Sequence, residues 1–542
     1  MQVTTPLRRL SLLVAAAFAL AVAPESVAQS PLAVAPGVDA LNIAIENDTN
    51  RPADRVYVLQ RGAYYGVSRE INNQGYTLRI AAAEGEGNRP VIHRAFDSNG
   101  NSPGSRYFNL AGDVEFTGIY FLNADPSGGE AATVFALNNE DMRFVIDDCV
   151  FQGGLSRLIE VNVDGTKMYF TDSEFRNQVR TDGSSNGRPI DYRTVRSDSL
   201  VIENTSFLNI SGYLVRYGGP ALENVIFNHN TVYSTGRELT TNSFATQVIN
   251  YQFTNNLIVN PHSFGQPPVP EGTFPQGVVP LDSLDASINN GFTEADRNLR
   301  IENNGYMITS DLQAFYDART ASGDSLIARA LLDNGLQFYV AANPSVRFGN
   351  NETYDIDFVA PPDLTDYITF LGNFRDGASD PGTWIFGEAD GELFPATQPP
   401  PEDLAYPESN PAYTAAQGGY PLGNLNYFPA LRQQWEAEGG RSVATGDAPD
   451  REGFVLYGAA PNPTSGPVAL RVGLDEAASV TVDVFDMLGR RVFQVPATAV
   501  PAGESHTVRL SADLPSGLYI ARATAESGGD LRVRTTRFTV AR

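Results

Sequence analysis

The sequence predicts an all-β protein: a parallel β-helix solenoid with short cap helices, followed by a small β-sandwich. Three observations carry this prediction. A strand–bend–strand pattern recurs between residues 116 and 306, and the recurrence of one short unit along a chain is typical of a solenoid. Strand-like segments separated by Gly, Pro and Asn fill residues 454–542, as in a small sandwich. Helical apolar spacing behind an N-cap residue appears at residues 39–46, which predicts a short helix over the first coil.

The recurring unit has three fixed positions. Each copy opens on an apolar residue: Phe116, Ile146, Phe170, Ile202, Phe227, Phe253 and Ile301. Five residues later stands a second large apolar side chain: Phe121, Phe151, Phe175, Phe207, Val232, Ile258 and Tyr306. Residue types that tolerate a left-handed backbone stand two residues after each opener: Gly118, Asp148, Asp172, Asn204, His229, Asn255 and Asn303. The openers are 30, 24, 32, 25, 26 and 48 residues apart, and the last interval fits either two coils or one coil with an insertion.

Stacked coils explain why the chain repeats itself. Parallel strands of successive coils lie about 4.8 Å apart, so each coil must place the same side-chain types over the same columns. We therefore expect the side chains at the bends to form ladders that bond to the backbone, with a metal role for Asp147 and Asp148 as the alternative. Cys149 stands beside a bend, and we interpret it as a structural thiol.

The composition limits the partners. The chain has 37 Arg, one Lys and a formal charge of −25, which argues against nucleic acid and also disfavours long-range attraction to polyanionic sugars. A single cysteine excludes an internal disulfide framework. Basic residues, an apolar run over 10–23 and a small-x-small pattern at 26–28 predict an export signal peptide over residues 1–28. We expect no transmembrane segment in the mature chain.

The order of segments predicts five regions. After the signal peptide come the β-helix (35–310), a continuation or insertion with a Pro-rich segment and a closing cap (311–440), a linker (441–453) and the β-sandwich (454–542). Within the β-helix, "LQRGAYYG" (59–66) and "FNHNTVY" (227–233) resemble the right-handed β-helix proteins of the pectate-lyase-like superfamily. That resemblance implies a right-handed solenoid and an extracellular polysaccharide as the partner.

The last region carries a second resemblance. The segments "APNPTSGPVALRVGL" (460–474), "VTVDVFDMLGRRV" (480–492) and "AGESHTVRLSADLPSGLYIARA" (502–523) are similar to the type IX secretion C-terminal sorting domain. The resemblance implies an immunoglobulin-like sandwich that engages the type IX secretion machinery, followed by attachment to the cell surface or release.

Five short segments are the candidates for a ligand-binding sheet: 106–110, 133–137, 157–161, 189–194 and 213–217. Alternation of side chains places one set inward: Phe108, Phe135, Ile159, Tyr192 and Val215. The outward set gives Arg193 and Arg216 as catalytic candidates, and Asn109, Glu160 and Asp191 as substrate-binding candidates. Ca²⁺ held by Glu160 and Asp191 is the possible cofactor, because it would also bridge to an acidic polymer; we assign no other metal ligand.

The sequence leaves two functions open. The first is a secreted protein that engages polysaccharide, with lyase chemistry as the most natural enzyme class; the resemblance implies this chemistry, because in relatives an arginine in a crowded groove can act as the base. The second is a non-catalytic adhesin or structural spacer. The Asn-Thr-Asp and Gly-His-Gly signatures of polygalacturonase-type hydrolases are absent from the sequence, and its four histidines have no metal-ligand spacing. Whether the protein is an enzyme is therefore not decided by the sequence.

Overall fold

The computed structural model divides the chain into two compact units, Met1–Ser442 and Val443–Arg542. The residues that it describes are 30–182, 185–268, 277–285, 287, 291–332, 339, 343, 346–382, 384–386, 402–438, 440–441, 454–456, 464, 468–474, 477–486, 490–501, 503–510, 514–527 and 530–541. The predicted signal peptide (1–28) and all of the predicted linker except Arg441 lie outside these residues.

The first unit is a parallel β-helix with three sheets. Among the described residues, sheet A has eleven parallel strands: β1 (Ser30–Val34), β2 (Arg55–Leu59), β5 (Leu78–Ala82), β8 (Val114–Thr117), β11 (Arg143–Asp147), β14 (Thr166–Thr171), β17 (Ser197–Glu203), β20 (Leu222–Asn228), β22 (Val248–Thr254), β24 (Asn298–Glu302) and β26 (Arg347–Gly349). Over the same described residues, sheet B has ten: β3 (Tyr64–Val67), β6 (Val91–Arg94), β9 (Tyr120–Leu122), β12 (Val150–Gln152), β15 (Glu174–Gln178), β18 (Ser206–Ile210), β21 (Thr231–Thr235), β23 (Leu257–Val259), β25 (Gly305–Met307) and β27 (Glu352–Thr353).

Sheet C is shorter and lies between sheet B of one coil and sheet A of the next in chain order. Over the described ranges it has six strands: β4 (Ile71–Asn72), β7 (Phe108–Leu110), β10 (Phe135–Leu137), β13 (Arg157–Val161), β16 (Arg188–Tyr192) and β19 (Val215–Arg216). All five segments predicted for the ligand-binding sheet contribute a strand to it. The predicted fold class is therefore confirmed.

Both predicted apolar columns are present in register. In sheet A, Phe116 pairs with Ile146, and the pairing continues through every opener to Ile301. In sheet B, Phe121 begins the second column, which ends at Tyr306. Because β22 pairs directly with β24, the interval of 48 residues is one coil that carries an insertion. Phe rings stack along the second column, with centroids 4.7 Å apart between Phe151 and Phe175.

The bends between sheets A and B have the expected backbone. Every predicted bend residue has a positive φ, from 52° to 72°. The ladder that bonds to the backbone, however, stands one residue later than predicted. Asn230 accepts a hydrogen bond from the Thr205 backbone N–H at 3.0 Å, and Asn256 accepts one from the Asn230 N–H at 3.0 Å. A left-handed bend residue turns the next side chain inward, so that side chain reaches the backbone of the neighbouring coil.

Short helices lie at the ends and on the flanks of the solenoid. The structure describes five α-helices: α1 (Ala40–Asn47), α2 (Asn242–Ala245), α3 (Ser310–Ala321), α4 (Thr365–Arg375) and α5 (Pro429–Ala437). It also describes 3₁₀ turns at Glu294–Asp296, Pro411–Thr414 and Leu425–Tyr427. The predicted cap helix is α1, but Asp39 does not cap it with its side chain; its carboxylate accepts from the Ser68 backbone N–H and hydroxyl at 2.9 and 2.6 Å.

The segment after α4 covers the A–B bends. We call the described residues 402–438 and 440–441 the strap. The strap backbone bonds to the bends, because the Leu425 N–H donates to Asn204 Oδ1 at 2.7 Å and the Gly423 N–H donates to the Asn255 carbonyl at 2.9 Å. Asp172 also forms an ion pair of 2.8 Å with Arg432 of α5. The bends are therefore covered by the strap.

The second unit is a small antiparallel β-sandwich. One sheet contains β28 (Phe454–Leu456), β29 (Val468–Leu474) and β32 (Gly503–Leu510). The other contains β30 (Ala478–Asp486), β31 (Arg491–Val500), β33 (Gly517–Ser527) and β34 (Asp530–Val540). Apolar residues at alternate positions, such as Val480, Val482 and Val484, form its core.

Candidate functional site

The candidate site lies on the exposed face of sheet C. Four of the five predicted site residues occupy one column, because Asn109 pairs with Ala136, Ala136 with Glu160, Glu160 with Asp191 and Asp191 with Arg216. The fifth residue, Arg193, follows the end of β16. The side chains alternate as predicted, except that Ile190, rather than Tyr192, aligns with Ile159; Tyr192 is also buried and aligns with Val161.

Asp191 is the centre of this site. Its side chain is 0% exposed, and its two oxygens form ion pairs with three arginines. Arg216 Nη1 lies 2.9 Å from Oδ1, whereas Arg188 Nη2 and Arg193 Nη1 lie 3.1 and 3.4 Å from Oδ2. A carboxylate is tolerated in such a place only where positive groups compensate it, so Asp191 holds the three arginines together.

Glu160 has the same role on the preceding coil. Its Oε1 lies 2.9 Å from Arg157 Nε and 3.6 Å from Arg193 Nε. Arg193 therefore joins the two carboxylates. We call the resulting set the arginine cluster, and it consists of Arg157, Glu160, Arg188, Asp191, Arg193 and Arg216.

The sequence analysis missed two members of this cluster. Arg157 and Arg188 pair with each other at the first position of their strands, where strict alternation would place their side chains inward. Two successive residues are buried instead, as Leu158 and Ile159 show, so the residues on both sides of the pair face outward. The spacing polar–apolar–apolar–polar was the signal that could have found them.

The cluster is locally cationic on an acidic protein. Four guanidinium groups and two carboxylates leave an excess of two positive charges, whereas the whole chain has a charge of −25. The Arg193 and Arg216 side chains are 42% and 35% exposed, so a ligand can reach them. Burial lowers the pKa of Arg188, the Asp191 charge opposes that shift, and the charge of Arg216 adds to it.

Asn109 does not touch the cluster. It belongs to a row of exposed amides on the same face, in which Asn109 donates to Asn72 at 2.9 Å and Asn138 donates to Asn109 at 2.6 Å. Asn162 continues the row by donating to Asn138 at 3.1 Å. Val161 pairs with Tyr192, so the residues that follow them, Asn162 and Arg193, are neighbours on adjacent coils. The row of amides therefore ends beside Arg193. The face therefore combines a row of amides with a cluster of arginines.

The donors of this site do not form a calcium cage. Ca²⁺ takes six to eight oxygen ligands, but the oxygens of Glu160 and Asp191 already face guanidinium groups. Among the described residues, no group of three or more His, Cys, Asp or Glu side chains is arranged to hold a metal ion. Glu160 and Asp191 alone would therefore offer the predicted Ca²⁺ fewer oxygens than it takes.

Other chemically reactive groups are in structural positions. Cys149 is 0% exposed, and burial raises the pKa of its thiol well above the usual range. His229 is also 0% exposed and packs edge-on against Trp435 at 5.3 Å. A pocket of about 170 Å³ lies under the strap at the A–B bend, away from sheet C, and its lining is Asn228, His229, Gln252, Thr254, Asn255, Arg300, Gln417, Trp435 and Gly440.

Comparison with known proteins identifies the second unit. Residues 459–532 match the family model of the secretion system C-terminal sorting domain. Because of this match, the chain is a type IX-secreted protein, located at the cell surface or released, and its first unit is a parallel β-helix. No curated protein matches the chain. Within the described residues, no helix is long and apolar enough to span a membrane.

Proposed function

We propose that this secreted or cell-surface protein binds an anionic polysaccharide along the exposed face of sheet C. The arginine cluster carries the proposal. It places an excess of positive charge on the outward face of sheet C, where polar side chains of successive coils stand in register. The resemblance to pectate-lyase-like proteins supports the same class of ligand.

The chemistry of the face suits such a polymer. A guanidinium group offers a planar fork of donors that matches the two oxygens of a carboxylate or sulfate. Arg193 and Arg216 are the exposed members of the cluster and would contact the acidic group. The amides of Asn109, Asn138 and Asn162 would bond to the hydroxyls of neighbouring sugars, since successive coils lie about 4.8 Å apart.

For a catalytic role, the class that we propose is a polysaccharide lyase. In such a reaction a base takes the proton at C5 of a uronate, the electron pair forms a double bond to C4, and the C4–O bond breaks with protonation of the leaving oxygen. Arg193 and Arg216 would neutralise the uronate and serve as the base or the acid.

Non-catalytic adhesion is the second candidate, and the ion pairs favour it. Glu160 and Asp191 each bond to arginines, so neither carboxylate is free to act as a base. A surface that only binds needs no such group. The rigid solenoid would then hold the cationic face away from the cell as a spacer.

The test uses the full-length protein and a panel of uronate and neutral polysaccharides, with and without Ca²⁺. Binding is measured by titration, and cleavage is measured by absorbance of unsaturated uronate and by reducing ends. We expect binding to uronate polymers that Arg216→Ala and Arg193→Ala weaken at least about tenfold. Arg79→Ala is the matched control, because Arg79 forms an ion pair of 2.8 Å with Glu115 on sheet A.

Each result has a definite meaning. Unsaturated product that disappears in the Arg216→Ala variant makes the protein a lyase. Binding without product makes it an adhesin, and loss of either signal without Ca²⁺ would add the cation to the site. No binding to any polymer, or equal losses in Arg79→Ala and Arg216→Ala, would refute the proposal.

A further inference from the structure

The arginine cluster is continued by a second group of polar side chains on the next two coils. Val215 pairs with Ile190 and also forms a bridge with Thr240. Counting back two residues from each of these positions gives Arg188, Tyr213 and Glu238. These three residues therefore stand in one column on the same face, about 4.8 Å apart per coil.

The local sequence explains why Tyr213 faces outward. Leu214 and Val215 are both 0% exposed, so the residues on either side of them, Tyr213 and Arg216, point away from the core. This is the same polar–apolar–apolar–polar spacing that exposes Arg157 and Glu160. Tyr213 is partly exposed, and its hydroxyl makes no hydrogen bond to another described residue. Burial of the ring raises the pKa of Tyr213, so the hydroxyl keeps its proton and can donate.

Glu238 is surrounded by groups from a distant part of the chain. Arg329 forms an ion pair with Glu238, and both side chains are 12% exposed. The chain around Arg329 is held beside the solenoid by bridges from Ile327 to Gln266 and from Ala330 to Gly277. The segment that follows α3 therefore brings a guanidinium group to the end of sheet C and neutralises Glu238 there.

His262 adds an acceptor that has no donor. Its Nδ1 lies 3.0 Å from the Gly236 carbonyl oxygen, which can only accept, so Nδ1 carries the proton and Nε2 offers a lone pair. Nε2 lies 3.9 Å from Glu238 Oε1, which is also an acceptor. Within the described residues, Nε2 has no hydrogen-bond partner, although His262 is only 4% exposed. Gln266 Nε2 and Arg329 Nε are likewise buried without a partner there.

Buried polar atoms in folded proteins are nearly always paired, so several unpaired atoms in one place indicate a missing partner. The partner must donate to His262 Nε2 and accept from Gln266 Nε2 and Arg329 Nε. Glu238 and the partly exposed Tyr213 hydroxyl stand beside it as a further acceptor and a further donor. A group of vicinal hydroxyls does both, because each hydroxyl donates once and accepts twice. Glu238 compensates the charge of Arg329, and the charge of Arg237 also acts on Tyr213, His262 and Arg329.

We propose that Tyr213, Glu238, His262 and Arg329 form a second subsite, which binds the hydroxyl groups of the sugar next to the one held by the arginine cluster. This inference rests on the proposed function, because it assumes a polymer on sheet C. It adds a direction for the ligand, since the polysaccharide must run across the strands from the arginine cluster toward Glu238. It also adds a minimum length, because an oligomer must span both sites to use them.

The experiment measures affinity against oligomer length. Oligogalacturonates and oligomannuronates from the disaccharide to the octasaccharide are titrated into the full-length protein and its variants. In the wild type we expect a step in affinity at the length that first reaches the second subsite. Tyr213→Ala removes the ring and the hydroxyl, and Tyr213→Phe removes the hydroxyl alone. For oligomers longer than the step, we expect the affinity to fall about tenfold in Tyr213→Ala and about threefold in Tyr213→Phe. The affinity for shorter oligomers should not change.

Matched variants separate the possible failures. Tyr64→Ala, on sheet B with a side chain that is 39% exposed, should leave the step intact. Glu238→Gln keeps the size of the side chain and should also remove the step, with a thermal midpoint that shows the fold is retained. If Arg216→Ala weakens all oligomers but no Tyr213 or Glu238 variant alters the step, the subsite is wrong and the proposed function stands. If no oligomer binds to the wild type, both are wrong.

Discussion

The A–B bend and the outward face of sheet C both stack polar side chains in register along the solenoid. The two regions differ in how far these side chains are buried and in what they bond to. At the bend, Asn230 and Asn256 are 0% exposed, and their amides bond to the backbone, as Asn256 Nδ2 does to the Phe227 carbonyl at 3.0 Å. On sheet C, Arg193 and Arg216 remain partly exposed, and the partners that they have among the described residues are carboxylates of the same face.

The difference teaches where function can lie in a repeat protein. A column of polar side chains is not by itself a binding site, because stacking the repeats also produces such a column along the bends, where it serves the fold. At the bend the hydrogen bonds are used up within the backbone, and the strap covers the column. On sheet C the charges are left with an excess, and unpaired atoms remain near Glu238. Stability is therefore expected from the first region and binding from the second.

The largest expected effect is on stability and comes from the bend. Asn256→Ala leaves the Asn230 N–H and the Phe227 carbonyl without their partners in the core. Each buried group left unpaired costs about 1–3 kcal/mol, so we expect the free energy of unfolding to fall by about 3 kcal/mol. Urea unfolding of the full chain, followed by circular dichroism, measures it. The exposed Asn139→Ala is the control and should change little; a loss as large as that of Asn256→Ala would contradict the comparison.

The second effect concerns salt. Raising NaCl from about 0.1 M to about 1 M shortens the Debye length from about 10 Å to about 3 Å. Binding to the exposed arginines should then weaken at least about tenfold, or about 1.4 kcal/mol. The stability difference between the wild type and Asn256→Ala involves neutral buried groups and should not change. A salt-independent affinity would mean that the ligand does not use the arginine cluster.

A smaller effect comes from Asp147 at the bend. Burial raises the pKa of Asp147 above 3.8, and the charges of Asp172 and Asp148 add to this rise. The folded state therefore prefers the neutral carboxyl, so wild-type stability falls as the pH rises from the unfolded value through the raised folded value. Asp147→Asn removes this penalty, and we expect a gain of about 1 kcal/mol at neutral pH and none at pH 3.

Urea midpoints at the two pH values measure this gain. Asp148→Asn is the control, because Asp148 is 45% exposed and is paired with Arg89. A loss of stability in Asp147→Asn at neutral pH would show that the charge of Asp147 is needed, as a metal ligand or an ion-pair partner would be.

The smallest expected effect concerns the Cys149 thiol, which we expect not to be alkylated in the folded protein. Cys149 accepts from the Ile119 N–H at 3.5 Å in the core, and burial raises the pKa of its thiol. We expect iodoacetamide to label it only in the unfolded protein, as measured by mass spectrometry. Labelling of the folded protein at the rate of a free thiol would contradict the packing of the bend.

The apolar columns and the bends could be predicted because they depend on local side-chain type. Phe116 and its six equivalents mark seven of the eleven described strands of sheet A, and residues such as Asn204 and Asn255 adopt the left-handed backbone that their type allows. The position of the ladder was missed by one residue, since the sequence does not show which of two adjacent polar residues turns inward. The strap could not be predicted, because Arg432 and Asp172 are far apart in the sequence and only the folded chain brings them together.

The candidate site was predicted only partially, for similar reasons. Alternation identified Glu160, Asp191 and Arg216, whose positions follow from a regular strand. It failed at Arg157, Arg188 and Tyr213, because two consecutive residues enter the core where each strand begins. Arg329 has no local signal at all, since it belongs to a different region of the chain from its partner Glu238. Local periodicity thus predicts columns, and contacts between distant segments complete the site.

The most direct test of the account is a hydrogen-exchange footprint of the full-length protein with a bound uronate oligosaccharide. We predict slower exchange in residues 157–161, 188–193 and 213–216, on three neighbouring strands of sheet C, with no change at the A–B bend around Asn230 and Asn256. Protection confined to the bend, the strap or the C-terminal sandwich would contradict the account and place the binding surface elsewhere.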